Sequence, residues 1–348
     1  MFRIYKKLAI NLAVVVGISL AGIGSTSVAW AKDGTADVKN ITVLLWGTTW
    51  TIMGETLAKK FEQETGIKVR PVTQASSGEG LIKLRLMKDK PSVDVWFTTK
   101  SVAERASSEA GLFADLPVAS MSNLDNLMEG ALHRKYVGLY YYPLLVLWRE
   151  DLVKGGLKSW EDLWSRPDLA GKVAIPDMNM FQAQFLLVAN RLGGGQEPDI
   201  TQGLKKIAQL KPQIGLIYAS DSQARQAVAS GQVAALVTNT KRIKELRDAG
   251  FSIGAISPAP SPVGMDVMML VNGPKQAAAA KFIDFLMRES SQKIVAERLF
   301  MGPVKTSVHP SAELAEILPH AKDTVEFNDV MINSKIGDWM EQFNKTVN

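Results

Sequence analysis

The 348 residues contain no cysteine, and the three histidines, His133, His309 and His320, stand far apart. Residue type and spacing therefore exclude thiolate nucleophiles, disulfides and a histidine-built zinc site. The side chains left to do chemistry are hydroxyls, amides and a few charges. Ser76-Ser77-Gly78 precedes a predicted helix, where hydroxyls and unpaired backbone N–H groups converge and favour an anion. Thr98-Thr99-Lys100-Ser101 repeats that arrangement with a cation added, and Lys241 or Arg242 offers a second one. Asp177 and Asp266 are carboxylates suited to an amino group, with Asn179 and Asn239 in the same or a neighbouring loop class. Trp46 and Trp50 bracket Thr48 and Thr49, and Tyr142 closes the run Tyr140-Tyr141-Tyr142. No Gly-x-Ser-x-Gly elbow or phosphate-binding Walker loop occurs, and Gly193-Gly194-Gly195 follows a predicted helix rather than a strand. Asp177 and Asp266 would have to share one cleft for carboxylate-pair catalysis, a reading that spacing alone leaves open.

The elements that position these residues alternate between two periods. An apolar run at 41–45 is followed by a turn-like stretch at 46–49 and by Met53, Leu57 and Phe61 at helical spacing, with Gly66 where a left-handed C-cap belongs. A second β-type run at 67–72 completes a βαβ unit, which implies parallel strands and a right-handed crossover. Further strands are predicted at 93–97, 136–148, 173–176, 233–238 and 264–271. Helices are predicted at 81–88, from 101 to Gly111, and at 180–191, 204–210, 222–230, 241–249 and 275–287. The chain is α/β, and open parallel sheets place ligands beyond the carboxyl ends of their strands. That rule nominates the loops 46–50, 75–80, 98–101, 177–179 and 238–242.

Composition bounds the function classes. Hydrophobic residues make up 46% and charged residues 22%, the profile of a globular chain long enough for two lobes. Residues 1–31 hold a basic start with Arg3, Lys6 and Lys7, an apolar stretch and Ala29-Trp30-Ala31, the pattern of a cleaved secretory signal peptide. Without those three cations the formal charge falls from +5 to +2, and the remaining charges are interleaved, as in Lys59-Lys60-Phe61-Glu62. Such a surface carries no electrostatic footprint for nucleic acid. The expectation is a monomeric periplasmic protein with no membrane insertion after cleavage, no cofactor and no metal.

Several short motifs carry a resemblance. Trp160-Glu161-Asp162-Leu163 is followed by Pro167, then Gly171-Lys172 before a strand, and Phe61-Glu62-Gln63-Glu64-Thr65-Gly66-Ile67-Lys68-Val69 stands earlier. Ser108-Glu109-Ala110-Gly111, Ala280-Lys281-Phe282-Ile283-Asp284-Phe285-Leu286 and Gly302-Pro303-Val304 follow the same order. The whole stretch resembles the extracellular solute-binding proteins of ABC importers, the type II periplasmic binding proteins grouped with spermidine/putrescine and ferric-iron receptors. The resemblance implies two α/β lobes, each a mainly parallel sheet flanked by helices, joined by crossover strands at 136–148 and 256–265. Lobe 1 would comprise 38–140 plus 263–348, and lobe 2 141–262. It also implies delivery of a small-molecule ligand to an ABC permease by hinge closure, without catalysis.

Within that family the ligand remains a choice among chemistries. Polyamine receptors grip ammonium groups with carboxylates, and Asp266 in Gly264-Met265-Asp266 matches their late acidic position, whereas Thr48 and Thr49 stand where a carboxylate would be wanted. Ferric receptors use a tyrosine pair late in lobe 2, while the Tyr140-Tyr141-Tyr142 run falls on a crossover. The neutral and basic loops favour an anionic or zwitterionic solute bearing a carboxylate, phosphate or phosphonate, with Asp266 meeting an amino group. A sensory binding module and an enzyme on the same scaffold are the readings from other classes.

Overall fold

A computed structural model of the chain describes residues 38–347. The expected signal peptide at 1–31 lies outside the described residues. Strand β1 (Asn40–Trp46) runs into helix without a loop: Gly47–Thr49 is already α-helical, Trp50–Gly54 makes a π-turn, and α1 (Glu55–Thr65) continues from it. The stretch read as a turn from sequence is thus a helix start. Gly54 permits the π-turn, because a Cβ there would sit 2.5 Å from the Trp50 ring. Gly66 closes α1 at φ 72°, the left-handed cap that its position predicts.

The chain continues through β2 (Lys68–Gln74), α2 (Ser77–Leu86), β3 (Val95–Thr99) and α3 (Lys100–Ala106), the last ending well before Gly111. Next come β4 (Tyr136–Pro143), β5 (Leu145–Arg149), β6 (Val173–Pro176), α4 (Gln184–Leu192) and α5 (Thr201–Leu210). They are followed by β7 (Ile214–Tyr218), α6 (Asp221–Ala229), β8 (Ala235–Thr238), α7 (Thr240–Asp248), β9 (Ile253–Ile256) and β10 (Ser261–Leu270). Helices α8 (Gln276–Leu286), α9 (Glu289–Leu299) and α10 (Asp329–Val347) complete the main elements. The helix predicted at 180–191 begins only at Gln184, because Phe181, Gln182 and Ala183 all have positive φ, at 52°, 51° and 61°. No helix among the described residues is long and apolar enough to cross a membrane.

Two mixed sheets result. The first has β4, β10, β3, β1 and β2 in spatial order, with the short strand Gly302–Pro303 beyond β4; the second runs β9, β5, β8, β6, β7. Within each sheet a parallel part (β3, β1 and β2; β8, β6 and β7) is extended by antiparallel strands where the chain arrives or leaves. The first passage between sheets is abrupt: β4 ends at Pro143 and β5 starts at Leu145. Alternation along β5 explains its double burial, since Leu144, Val146 and Trp148 enter one core while Leu145 and Leu147 enter another on the opposite face.

The return passage differs from the single strand expected at 256–265. It is split into β9 and β10 by a segment with Pro258 and Pro260, whose carbonyls accept bonds from the Trp160 indole N–H at 2.9 and 3.1 Å. The tryptophan of the Trp-x-Asp-Leu motif therefore clamps the connection, fully buried itself. A second difference concerns α10, which the sequence-based partition placed with the first sheet. Its Ile332, Trp339 and Phe343 are buried in the core of the second sheet with Phe185 and Ile207, because its apolar face matches the surface of α5. Its N-terminal part reaches α3 of the first sheet, where Asn333 Nδ2 donates to the Ser101 carbonyl at 3.4 Å.

Trp160→Phe keeps the ring volume in part but leaves the buried Pro258 carbonyl and the half-buried Pro260 carbonyl without their donor. It is expected to lower unfolding free energy by about 1–3 kcal/mol, read by urea denaturation.

Candidate functional site

Asp266 lies on β10 directly opposite Tyr140 of β4 and Thr99 of β3. Side chains at cross-strand positions share a face, so this register gathers them. The Tyr140 hydroxyl donates to Asp266 Oδ2 at 2.5 Å, and the Tyr142 hydroxyl approaches Oδ1 at 3.4 Å. Tyr142 fits because its register partner is Gly264, where a Cβ would stand 2.5 Å from the ring. The Thr49 hydroxyl in turn bonds Tyr140. Asp266 is 8% exposed. Burial pushes its carboxyl up to about 7, against the pull of the Tyr140 bond and of the Lys241 charge. Burial first, then the nearby carboxylate, raises both tyrosines well above the usual phenol range.

The counterpart comes from the second sheet. Lys241 stands in the first turn of α7, and its Nζ donates to Thr48 Oγ1 at 2.8 Å, with Glu245 at 4.0 Å. Burial lowers its pKa while Glu245 and Asp266 raise it. Lys241 and Asp266 thus feel each other's charge, yet they form no direct ion pair. The alternative cation, Arg242, is buried and committed to Asp221 at 2.7 Å and to Glu245. An open groove of about 510 Å³ reaches Lys241 from outside, lined on one side by Glu245 and Asp248 and on the other by Ile52, Arg298 and Leu299.

The expected anion seat at Ser76-Ser77-Gly78 is used internally. Ser76 Oγ accepts the Glu79 N–H at 3.2 Å and the Glu79 carboxylate accepts the Ala75 N–H at 2.6 Å, a capping box that fills the helix start with the protein's own acid. Ser77 Oγ accepts the Thr99 N–H at 3.2 Å, which ties it to the Asp266 face. Thr98 stands opposite Val267, on the other face, with its hydroxyl buried and unpartnered. Lys100 is drawn into acidic company, 3.8 Å from Glu104 and beside Asp329. Asp177 turns its Oδ1 onto the N–H groups of Asn179 and Met180 at 3.0 and 2.9 Å, closing the turn after β6, while Asn179 is exposed. Trp46 and Trp50 are half-buried against the first core. Asn239 is the N-cap residue of α7.

The structure therefore brings together Thr48, Thr49, Thr99, Tyr142, Lys241 and Asp266, while Gly78 lies inside α2, Thr98 faces the other side of β3 and Asp177 closes the turn after β6. Sequence reasoning left out Tyr140, although its spacing of two from Tyr142 on one strand carried the signal. It also left out Asp329 at the start of α10, where burial, together with Glu104, lifts the carboxyl to about 6 against the opposing Lys100 charge. No group of three or more acidic or histidine side chains among the described residues is arranged for a metal ion.

Comparisons with known proteins agree with this architecture. Residues 56–321 match the family model described as bacterial extracellular solute-binding protein. The gamma-aminobutyric acid-binding protein of Pseudomonas aeruginosa is 24% identical over 315 residues, covering 86% of this chain and 85% of that protein. Among solved structures, the Atu4243-GABA receptor is similar at TM-score 0.75 with 21% identity, covering 89% of this chain and 98% of that one. The spermidine/putrescine substrate-binding protein PotD of Streptococcus pneumoniae is similar at TM-score 0.71 with 18% identity, over 89% and 100%.

Asp266 in the folded protein ionises near 7 rather than near its ordinary 3.8. Its contribution to stability is complete below about pH 4 and is lost as the pH rises to about 7, because the folded state holds a proton that the unfolded chain releases. Asp266→Asn has no proton to lose. It is expected to exceed wild type in ligand-free stability by about 1–3 kcal/mol at pH 8, the gap closing by about pH 4, in thermal melts across that range.

Proposed function

The chain belongs to the bacterial extracellular solute-binding proteins, receptors that serve ABC transporters, and on that premise we propose that its solute is a small zwitterion, an ammonium joined to a carboxylate by a short chain. One observation carries the reading: a buried carboxylate on one sheet and a largely buried ammonium on the other sit within reach of each other's charge without touching. A zwitterion laid between them compensates both. A diammonium leaves Lys241 opposed by a cation, and a simple anion leaves Asp266 opposed by one, each at the cost of an uncompensated buried charge. A phosphate dianion carries more charge than the single Lys241 neutralises. The names of two similar proteins, which speak of gamma-aminobutyric acid, support the same class.

In this reading the ammonium docks on Asp266, Tyr140 and Tyr142, and the carboxylate takes over the Lys241 ammonium from the Thr48 hydroxyl. The two sheets, with their flanking helices, act as the two lobes at 38–140 plus 263–348 and 141–262, except that α10 travels with the second. Contacts made only when the lobes are closed shift the equilibrium, and the permease reads the closed outline before the solute leaves unaltered. The exported chain works as a monomer in the periplasm.

The test is isothermal titration against ω-amino carboxylates, diamines, phosphonates and dicarboxylates. The ω-amino carboxylates are expected to bind tightest, and Asp266→Asn is expected to weaken them about 100-fold. An ammonium requires the ionised Asp266, so binding below pH 7 releases a proton, and affinity rises as the pH climbs through 7. Diamines binding more tightly than amino carboxylates would sink the proposal.

A further inference from the structure

One helix touches both halves of the molecule. The apolar side of α10 is rooted in the second core by Ile332, Trp339 and Phe343, yet its first turns lie against α3, which follows β3 of the first sheet. Asn328 caps α10 by accepting the Met331 N–H at 2.9 Å, and Asn333 Nδ2 reaches across to the buried Ser101 carbonyl at 3.4 Å. Asp329, the first helical residue, comes to the same place as a half-buried carboxylate. On the α3 side it meets Lys100 and Glu104, one turn apart, with Lys100 Nζ 3.8 Å from Glu104 Oε1. Gly130 leaves the ammonium its room, since a Cβ there would stand 3.3 Å from Nζ. From β4, the Tyr136 hydroxyl donates to Glu104 Oε1 at 3.2 Å. The Asp329 charge is felt at Tyr136 and also at Tyr142. Glu326, three residues ahead in the chain, is the remaining acid.

Three acids therefore share one ammonium where helices of the two sheets meet. An aspartate opening a helix is ordinarily favoured as the anion by the helix dipole. Here burial, then the Glu104 charge, outweighs that and lifts the carboxyl to about 6, with Glu326 adding to the lift and Lys100 pulling against it. The Tyr136 hydrogen bond favours Glu104 as the ion and leaves the proton to Asp329. Resting on the two-lobe reading above, we propose that the first turn of α10 is a latch between the lobes, holding α3 while Asp329 carries a proton and letting go once Asp329 and Glu104 are both charged. Parted from α3, Asp329 returns toward its ordinary 3.8, so the latched form binds the proton more tightly. The latch is fully made below about pH 4 and is lost as the pH rises through about 6, a change of about 10-fold between about pH 5 and about pH 7.5. Asp266 needs its own charge to hold an ammonium and gains it near 7, so one rise in pH frees the lobes and readies the site.

The chain has no native cysteine, so Gln63→Cys on α1 and Gln209→Cys on α5, both exposed, carry one spin label on each lobe without competing thiols. Pulsed electron resonance then reads the distance between the lobes in the ligand-free exported chain at about pH 5 and about pH 7.5. The shorter-distance population should fall about 10-fold against the longer one over that range. Asp329→Asn, which cannot ionise, should keep the acid distribution at both pH values. Glu104→Gln, which removes the repelling charge, should make the change smaller. A distribution that ignores pH in wild type, with amino carboxylates still binding, overturns the latch and leaves the zwitterion reading intact. So does a transition that survives in Asp329→Asn. Amino carboxylates that fail to bind, while the transition disappears in Asp329→Asn, overturn the zwitterion reading alone. A distance fixed against both pH and ligand overturns the two-lobe reading and the latch together.

Discussion

A carboxylate removed from water must find compensation, and Asp266 is the point at which this molecule meets that demand. Three strands are held in register around it, so that Tyr140 faces it directly and Tyr142 folds over Gly264 to reach it. The two hydroxyls supply partial compensation only, which is why the carboxyl still ionises near neutrality. The remaining positive charge comes from Lys241, carried on the other sheet. One buried group therefore ties the pleat of the first sheet to the helix start beside the second.

That link has force only if the halves are separately rigid. Each sheet has its own core, and β5 shows how completely the second is enclosed, with apolar side chains buried on both faces. The two passages between sheets are short, one a single residue between Pro143 and Leu145, the other pinned by Trp160 through the carbonyls of Pro258 and Pro260. Connections this short, one of them pinned, limit how far the two sheets can part.

Much of this was legible in the chain. Helical and strand periods located the βαβ start, Gly66 marked the end of α1, and the spacing of strand ends located the loops whose Thr48 and Lys241 bond each other across the two sheets. Other features misled for physical reasons. The Ser76 hydroxyl suggests a seat for a foreign anion, but Glu79 three residues on completes a capping box, and the Ser-x-x-Glu spacing carries that signal. Lys100 offers a cation beside Thr98 and Thr99, and Glu104 one turn later stands 3.8 Å from it, with Asp329 adding its charge from the far end of the chain. The three left-handed residues at 181–183 have no sequence signature, since none is glycine.

Local order explains where the line falls. Caps, periods and strand ends depend on residues within a few positions of one another, so composition and spacing sufficed to read the α/β class, the helix stops and the loops worth inspecting. The sheet to which α10 commits, the partner of Thr99 and the meeting of Asp266 with Lys241 depend on residues separated by tens to hundreds of positions. Those pairings follow from register and packing of whole elements, in which shape and buried area outweigh any neighbour along the chain, and they became visible only once the chain was folded.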